Sequence, residues 1–121
     1  MEMISASETL SALAHEGRLA LFRALVKAGP EGLAAGRLGE AVGMAPSTLS
    51  NNLAILTRSG LATSVRDGRS IIYAADYRRM SELLAFLMED CCDGSPEICA
   101  PLGDVLLRMS CCPPDARPGA A

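Results

Sequence analysis

At 121 residues, half of them apolar and 21% charged, the chain fits one compact globular domain with little room for a second. Phe22, Tyr73, Tyr77 and Phe86 are its only aromatic residues, so Leu, Ala, Val, Ile and Met must fill the core, which favours helices over a β-sandwich. The net charge of −3 divides unevenly: residues 16–79 hold nine Arg/Lys against five Asp/Glu (+4), and the two ends together hold two against nine (−7). A basic middle between acidic ends suits a DNA-binding centre flanked by elements that meet something else, although chance clustering on a solvated surface would look the same. No apolar run approaches the roughly 20 residues of a membrane span, and Met1-Glu2-Met3 lacks the basic opening of a secretory signal. A cytoplasmic location with no membrane partner is expected.

Residues 5–14 read as a short helix, with Ser5 or Ser7 as N-cap and Leu10 and Leu13 on one face. His15 to Ala28 follows as a stronger helix that His15 begins. Leu19, Phe22, Leu25 and Val26 recur there at three- and four-residue spacing, which leaves Arg18, Arg23 and Lys27 for the outside. Gly29-Pro30-Glu31-Gly32 ends it. Leu33 to Val42 is expected as a third helix, weakened by Gly36 and Gly39. Gly43-Met44-Ala45-Pro46 is a tight turn, because glycine tolerates the left-handed conformation after a helix and proline suits the first position of the next. The fourth helix then runs from Pro46 to about Ser59. Leu49, Leu53 and Leu56 share one of its faces, Ser47, Asn51, Ala54 and Arg58 the opposite one, and Thr48 and Ser50 flank it.

After Gly60 the hydrophobic period changes. Leu61 to Arg66 and Arg69 to Ala74 are β-prone segments around Asp67-Gly68, a dipeptide of two-strand hairpins. Asp76 to about Cys92 is a fifth helix carrying the stripe Met80, Leu84, Leu87 and Cys91, broken by Asp93-Gly94-Ser95-Pro96. Leu102 to Met109 adds one or two helical turns, and residues 113–121 read as disordered. The expected class is mainly α with a small β-hairpin, divided into a DNA-binding and dimerisation domain at 1–92 and a cysteine-containing tail at 93–121.

Two helices joined by a four-residue turn, then a hairpin with arginines on either side of its tip, is a winged helix-turn-helix arrangement. A helix fits the major groove, where short polar side chains reach base edges and phosphates. Ser47, Thr48, Ser50 and Asn51 at the start of the fourth helix are of that kind, and the helix N-terminus itself attracts phosphate. Arg66 and Arg69 would flank the wing tip and Arg58 adds charge at the helix end. Serines and asparagines are also common caps, so a generic helical pair with a structural hairpin stays open on spacing alone.

The residues resemble a known family as a set. Ala12 to Leu25 (ALAHEGRLALFRAL) resembles the opening of the ArsR/SmtB family of metal-responsive repressors. Leu38 to Leu56 (LGEAVGMAPSTLSNNLAIL) resembles its recognition unit, and Ser59 to Ala62 with Arg66 to Tyr73 its helix exit and wing. The resemblance covers about residues 10–92. It implies a winged helix-turn-helix homodimer, built mainly from the first and last helices, that binds double-stranded DNA at an imperfect palindrome. Where members often carry two histidines this chain has Asn51-Asn52, so the half-site sequence does not carry over.

Sensor sites differ between branches of the family. One branch places cysteines in the helix before the recognition helix, but Arg37-Leu38-Gly39-Glu40-Ala41 has none. Another binds zinc through aspartate and histidines on the last helix; Asp76 is present, but His15 is the sole histidine of the chain and stands at a position that is structural in the family.

All five cysteines lie in the last third, which in a reducing cytoplasm points to metal or redox chemistry and not to a disulfide scaffold. Cys91, Cys92 and Cys99 resemble the C-terminal cluster of an arsenic-responsive branch. Trivalent arsenic or antimony is soft and takes three sulfurs in a pyramid. Adjacent helical residues point about 100° apart, so Cys91 and Cys92 reach one ion only where the helix frays, and Gly94 and Pro96 supply the break. The six residues before Cys99 let a third thiol fold back. Cys91 could instead be a core residue with the others incidental. Cys111 and Cys112 could form a second metalloid site, an extra ligand pair or a redox pair.

Taken together these readings describe a repressor, not an enzyme, that leaves its inverted-repeat operator when arsenite, or antimonite, binds Cys91, Cys92 and Cys99. Rivals of the same fold sense oxidation or persulfide, or cadmium, lead, mercury or an organoarsenical. A thiol enzyme or metal carrier is disfavoured by the lack of Cys-x-x-Cys and of a second histidine.

Overall fold

The computed structural model describes residues 1–89. The order of elements is α1 (Met3–Leu13), α2 (Glu16–Ala28), β1 (Leu33–Ala34), α3 (Ala35–Val42), α4 (Pro46–Arg58), β2 (Ala62–Asp67), β3 (Ser70–Ala75) and α5 (Tyr77–Leu87). The chain divides into two units, Met1–Phe86 and Leu87–Ala121, and the hydrophobic core lies in the first. The expected boundary at residue 92 lies outside the described residues.

The α2 helix buries Leu21, Phe22 and Leu25. Arg18 precedes them at the spacing i, i+3, i+4, i+7 that makes one helix face, so it is half-buried on the core side and not on the outside as expected. The same rotation turns Leu19 out to solvent. His15 does begin this helix: its backbone is extended and its Nδ1 accepts the Gly17 amide at 3.1 Å. In α1 the buried residues are the small Ala6, Thr9 and Ala12, while Leu10 is exposed and Leu13 only packs at the core edge. The Leu10/Leu13 face therefore lies at and beyond the edge of the single chain's core. Ala6, Thr9 and Ala12 recur every three residues, and their small size lets α1 lie close to its neighbours.

Leu33 and Ala34, expected in the third helix, form a short strand. Leu33 pairs with Tyr73 and Ala34 with Ile72, which gives an antiparallel sheet in the order β1-β3-β2. Gly32 permits this: its φ is +74°, and a Cβ there would collide with the Tyr73 carbonyl oxygen. The sheet has three strands in place of the expected hairpin alone.

α3 ends in Gly43, whose φ of 67° and ψ of 42° are left-handed, and the Met44 amide returns to the Gly39 carbonyl at 3.0 Å. Pro46 opens α4 at its first turn. Leu38, Leu49, Leu53, Leu56 and Leu61 are buried together beneath α3 and α4. On α5 the buried residue is Leu83, with Met80 packed against the core, and Leu84 stays exposed. Of the expected stripe, Met80 thus meets the core, while Leu84 and Leu87 face solvent in the single chain. The helix closes at Leu87, and Met88 and Glu89 already turn. The expected continuation to Cys92 lies outside the described residues.

Candidate nucleic-acid interface

The exposed surface of α4 is built by subtraction. Its apolar face is committed to the core by Leu49, Leu53 and Leu56, so the residues on the opposite side face outward over three turns. Ser47, Thr48, Ser50, Asn51, Ala54 and Arg58 are all exposed. Ala45 caps the helix without a side-chain hydrogen bond. The first amides of α4 therefore face outward without a protein side chain upon them, an arrangement that attracts phosphate.

Beside α4 stands the β2–β3 hairpin. Its register runs from Ala62 opposite Ala75 to Asp67 opposite Ser70, so the loop is Gly68-Arg69 and not Asp67-Gly68. Gly68 has a φ of +64°, as the first residue of a primed two-residue turn requires. The register is set at the base, where Ala62 and Ala75 are both buried; a slip of one residue would expose them. Consequently Arg69 sits in the tip itself and Arg66 lies in β2 opposite Ile71. Alternation puts Arg66 on the strand face of Ala62, the face that meets the core at its base. Val65, on the other face, is 66% exposed. Among the described residues no ion pair or hydrogen bond of its side chain engages Arg58, Arg66 or Arg69. Three cations and four short polar side chains thus remain available on one helix and one wing.

Sequence reasoning missed a residue in the recognition unit. Asn52, beside the exposed Asn51, is only 4% exposed. Its Oδ1 accepts from Arg18 Nη1 at 3.4 Å and its Nδ2 donates to Met44 Sδ at 3.5 Å. Arg18 Nε in turn donates to the Ala12 carbonyl at 2.6 Å. The signal for it was the spacing of Arg18 from Leu21, Phe22 and Leu25, which places an arginine on an apolar face.

Among the described residues no three His, Cys, Asp or Glu side chains converge to hold a metal ion. Asp76 caps α5 by accepting the Arg79 amide at 3.1 Å. Cys91, Cys92, Cys99, Cys111 and Cys112 all lie outside the described residues.

Residues 13–65 match the family model of a helix-turn-helix domain. The chain is 34% identical to NolR from Sinorhizobium fredii, whose crystal structure overlays with a TM-score of 0.57 across 70% of this chain and 82% of that one. The chain belongs to the ArsR/SmtB family of winged helix-turn-helix regulators. Another relative, the HTH-type transcriptional regulator NmtR of Mycobacterium tuberculosis, is 38% identical over 78 residues, which cover 64% of this chain and 62% of that protein. A homodimeric winged helix-turn-helix DNA-binding domain of Mycobacterium bovis shares 25% identity and a TM-score of 0.58, across 73% of this chain and 82% of that one. As an ArsR/SmtB protein the chain has α3 and α4 as its helix-turn-helix pair and β2–β3 as its wing.

Proposed function

We propose that the chain is a homodimeric transcriptional repressor that binds an inverted-repeat operator and releases it when trivalent arsenic or antimony is captured by Cys91, Cys92 and Cys99. The observation that carries the DNA half is the exposed strip Ser47, Thr48, Ser50, Asn51 and Arg58, set beside a wing whose Arg66 and Arg69 have no side-chain partner among the described residues. The dimer is supported by the homodimeric relative and by the exposed apolar residues Met3, Ile4, Leu10 and Leu84 on α1 and α5, which a monomer would leave in water. Two-fold symmetry would set the recognition helices about one DNA turn, roughly 34–36 Å, apart.

The metalloid half rests on the donor set. Three thiols within nine residues, with no histidine nearby, suit a soft ion that takes three sulfurs. When bound, the ion supplies a cross-link between Cys91, Cys92 and Cys99. Release then requires the ion to favour the DNA-incompetent arrangement, and a coupling of about 1–3 kcal/mol would weaken operator binding 5–150-fold. Clustered thiols are also open to reversible oxidation, so the deciding experiment titrates the reduced protein on an operator duplex with arsenite, antimonite, cadmium and peroxide. Release by arsenite or antimonite alone supports the reading. Release by peroxide alone overturns its metalloid half in favour of thiol oxidation, and failure to bind any duplex overturns its DNA half.

A further inference from the structure

A recognition helix presses its polar face into DNA, and its rotation about its own axis decides which side chains reach base edges. Packed leucines hold that rotation by shape alone, whereas a buried hydrogen bond adds a directional constraint. α4 carries one buried polar side chain among its core leucines, Asn52. A buried carboxamide must find partners, because burial strips its water and an unsatisfied polar group gets nothing in return. Here the partners come from two other elements: Arg18 of α2 on the oxygen, and Met44 of the α3–α4 turn on the nitrogen.

Arg18 extends the connection. Its Nε donates to the carbonyl of Ala12, in the last turn of α1, where the final carbonyls of a helix have no partner within the helix and a cation is favoured. One guanidinium therefore ties the end of α1 to the inward side of α4. A lysine could reach one of these acceptors as a point charge, but not hold both in a planar fork.

We infer that Asn52 and Arg18 are positioning residues for DNA reading: their link fixes the rotation of α4 and makes it follow α1, so that Ser47, Thr48, Ser50 and Asn51 meet the bases in register. This rests on the DNA-binding reading above and adds that sequence discrimination depends on two side chains that do not touch DNA. Removing the link then lowers affinity for the preferred sequence while leaving phosphate attraction, which Arg58, Arg66 and Arg69 supply, as it was.

The test uses the full chain, reduced, and a duplex that the parent protein has itself enriched from a random-sequence pool, with an unrelated duplex of equal length as reference. Asn52→Leu fills the same space without polar atoms, and Arg18→Lys keeps the charge without the fork. Both are expected to lose about tenfold in affinity for the enriched duplex, the scale of one lost base contact. Affinity for the unrelated duplex, and the slope of affinity against salt, should stay at the parent's values. The double variant should lose no more than either alone, because both break one link. A purely structural role would lower the thermal midpoint and leave the affinity ratio of the folded protein unchanged. That result in either variant overturns the inference. A parent protein that enriches no duplex at all would sink the DNA reading, and this inference with it.

Discussion

Gly39 on α3 and Leu49 on α4 approach so closely that a methyl group on Gly39 would stand 3.1 Å from Leu49 Cδ2 and 3.3 Å from the Met44 carbonyl oxygen. The helix-turn-helix pair is therefore packed backbone against side chain at this point. Gly36, one turn earlier on α3, has nothing within 4 Å of the same added atom. Two glycines of one helix thus have opposite meanings. Gly39→Val should destabilise the fold by about 1–3 kcal/mol through overpacking, whereas Gly36→Ala should stabilise it by up to about 1 kcal/mol through helix propensity. Urea midpoints with an unchanged slope would check both; equal midpoints for the two variants would contradict the packing described.

The wing and the recognition helix should answer differently to alanine. Arg66→Ala and Arg69→Ala remove cations that contact phosphate in the proposed complex, so each should weaken binding to all sequences alike and reduce the salt slope by about one. Asn51→Ala removes an exposed group near the start of α4, and it should change which duplex is preferred at a cost of about 1–3 kcal/mol for the original site. Salt titrations and sequence enrichment with each variant would show it. A sequence-dependent effect from the arginines would move base reading onto the wing.

Much of this site could be read from the sequence because its signals are local. Gly43 and Pro46 bracket the turn by their own backbone preferences, and Leu49, Leu53 and Leu56 mark the buried side of α4 by spacing alone. What could not be read depends on distant partners. A two-residue strand such as Leu33–Ala34 has no period, and only its pairing with Tyr73 and Ile72 makes it a strand. The wing tip moves to Gly68-Arg69 because buried Ala62 and Ala75 set the register from the far end of the hairpin. Arg18 and Asn52 turn inward because each satisfies the other across 34 residues of chain. Polarity alone assigns such residues to the outside.

Leu84 on α5 is 46% exposed and Leu10 on α1 41%. Neither belongs to the core of the single chain. Leu84→Asp should therefore fold, with a thermal midpoint near the parent's at matched low concentration, yet sediment as a monomer, because it would bury a charge in the proposed seam. A monomer spans only one half-site, so its affinity for the inverted repeat should fall by several orders of magnitude while single half-site binding persists. A Leu84→Asp protein that stays dimeric and binds the full repeat would remove α5 from the dimer seam.

The switch gives the sharpest test of the metalloid reading. If arsenite is held by Cys91, Cys92 and Cys99, replacing any one of them with serine should leave operator binding intact and abolish release. Serine keeps the size but offers a hard, weakly acidic hydroxyl where a soft thiolate is needed, so a three-sulfur site loses a ligand outright. Operator binding is expected to survive because the described DNA-reading elements, α3 to β3, contain no cysteine. Cys111→Ser combined with Cys112→Ser should have the smaller effect, since 11 residues separate Cys99 from Cys111. X-ray absorption of the arsenite complex should report three sulfur neighbours and no nitrogen or oxygen in the first shell. A normal arsenite response in Cys99→Ser would rule out the three-cysteine site and move the third ligand to Cys111 or Cys112. A parent protein indifferent to arsenite but released by peroxide, and restored by thiol reductant, would instead identify the cysteines as a redox switch.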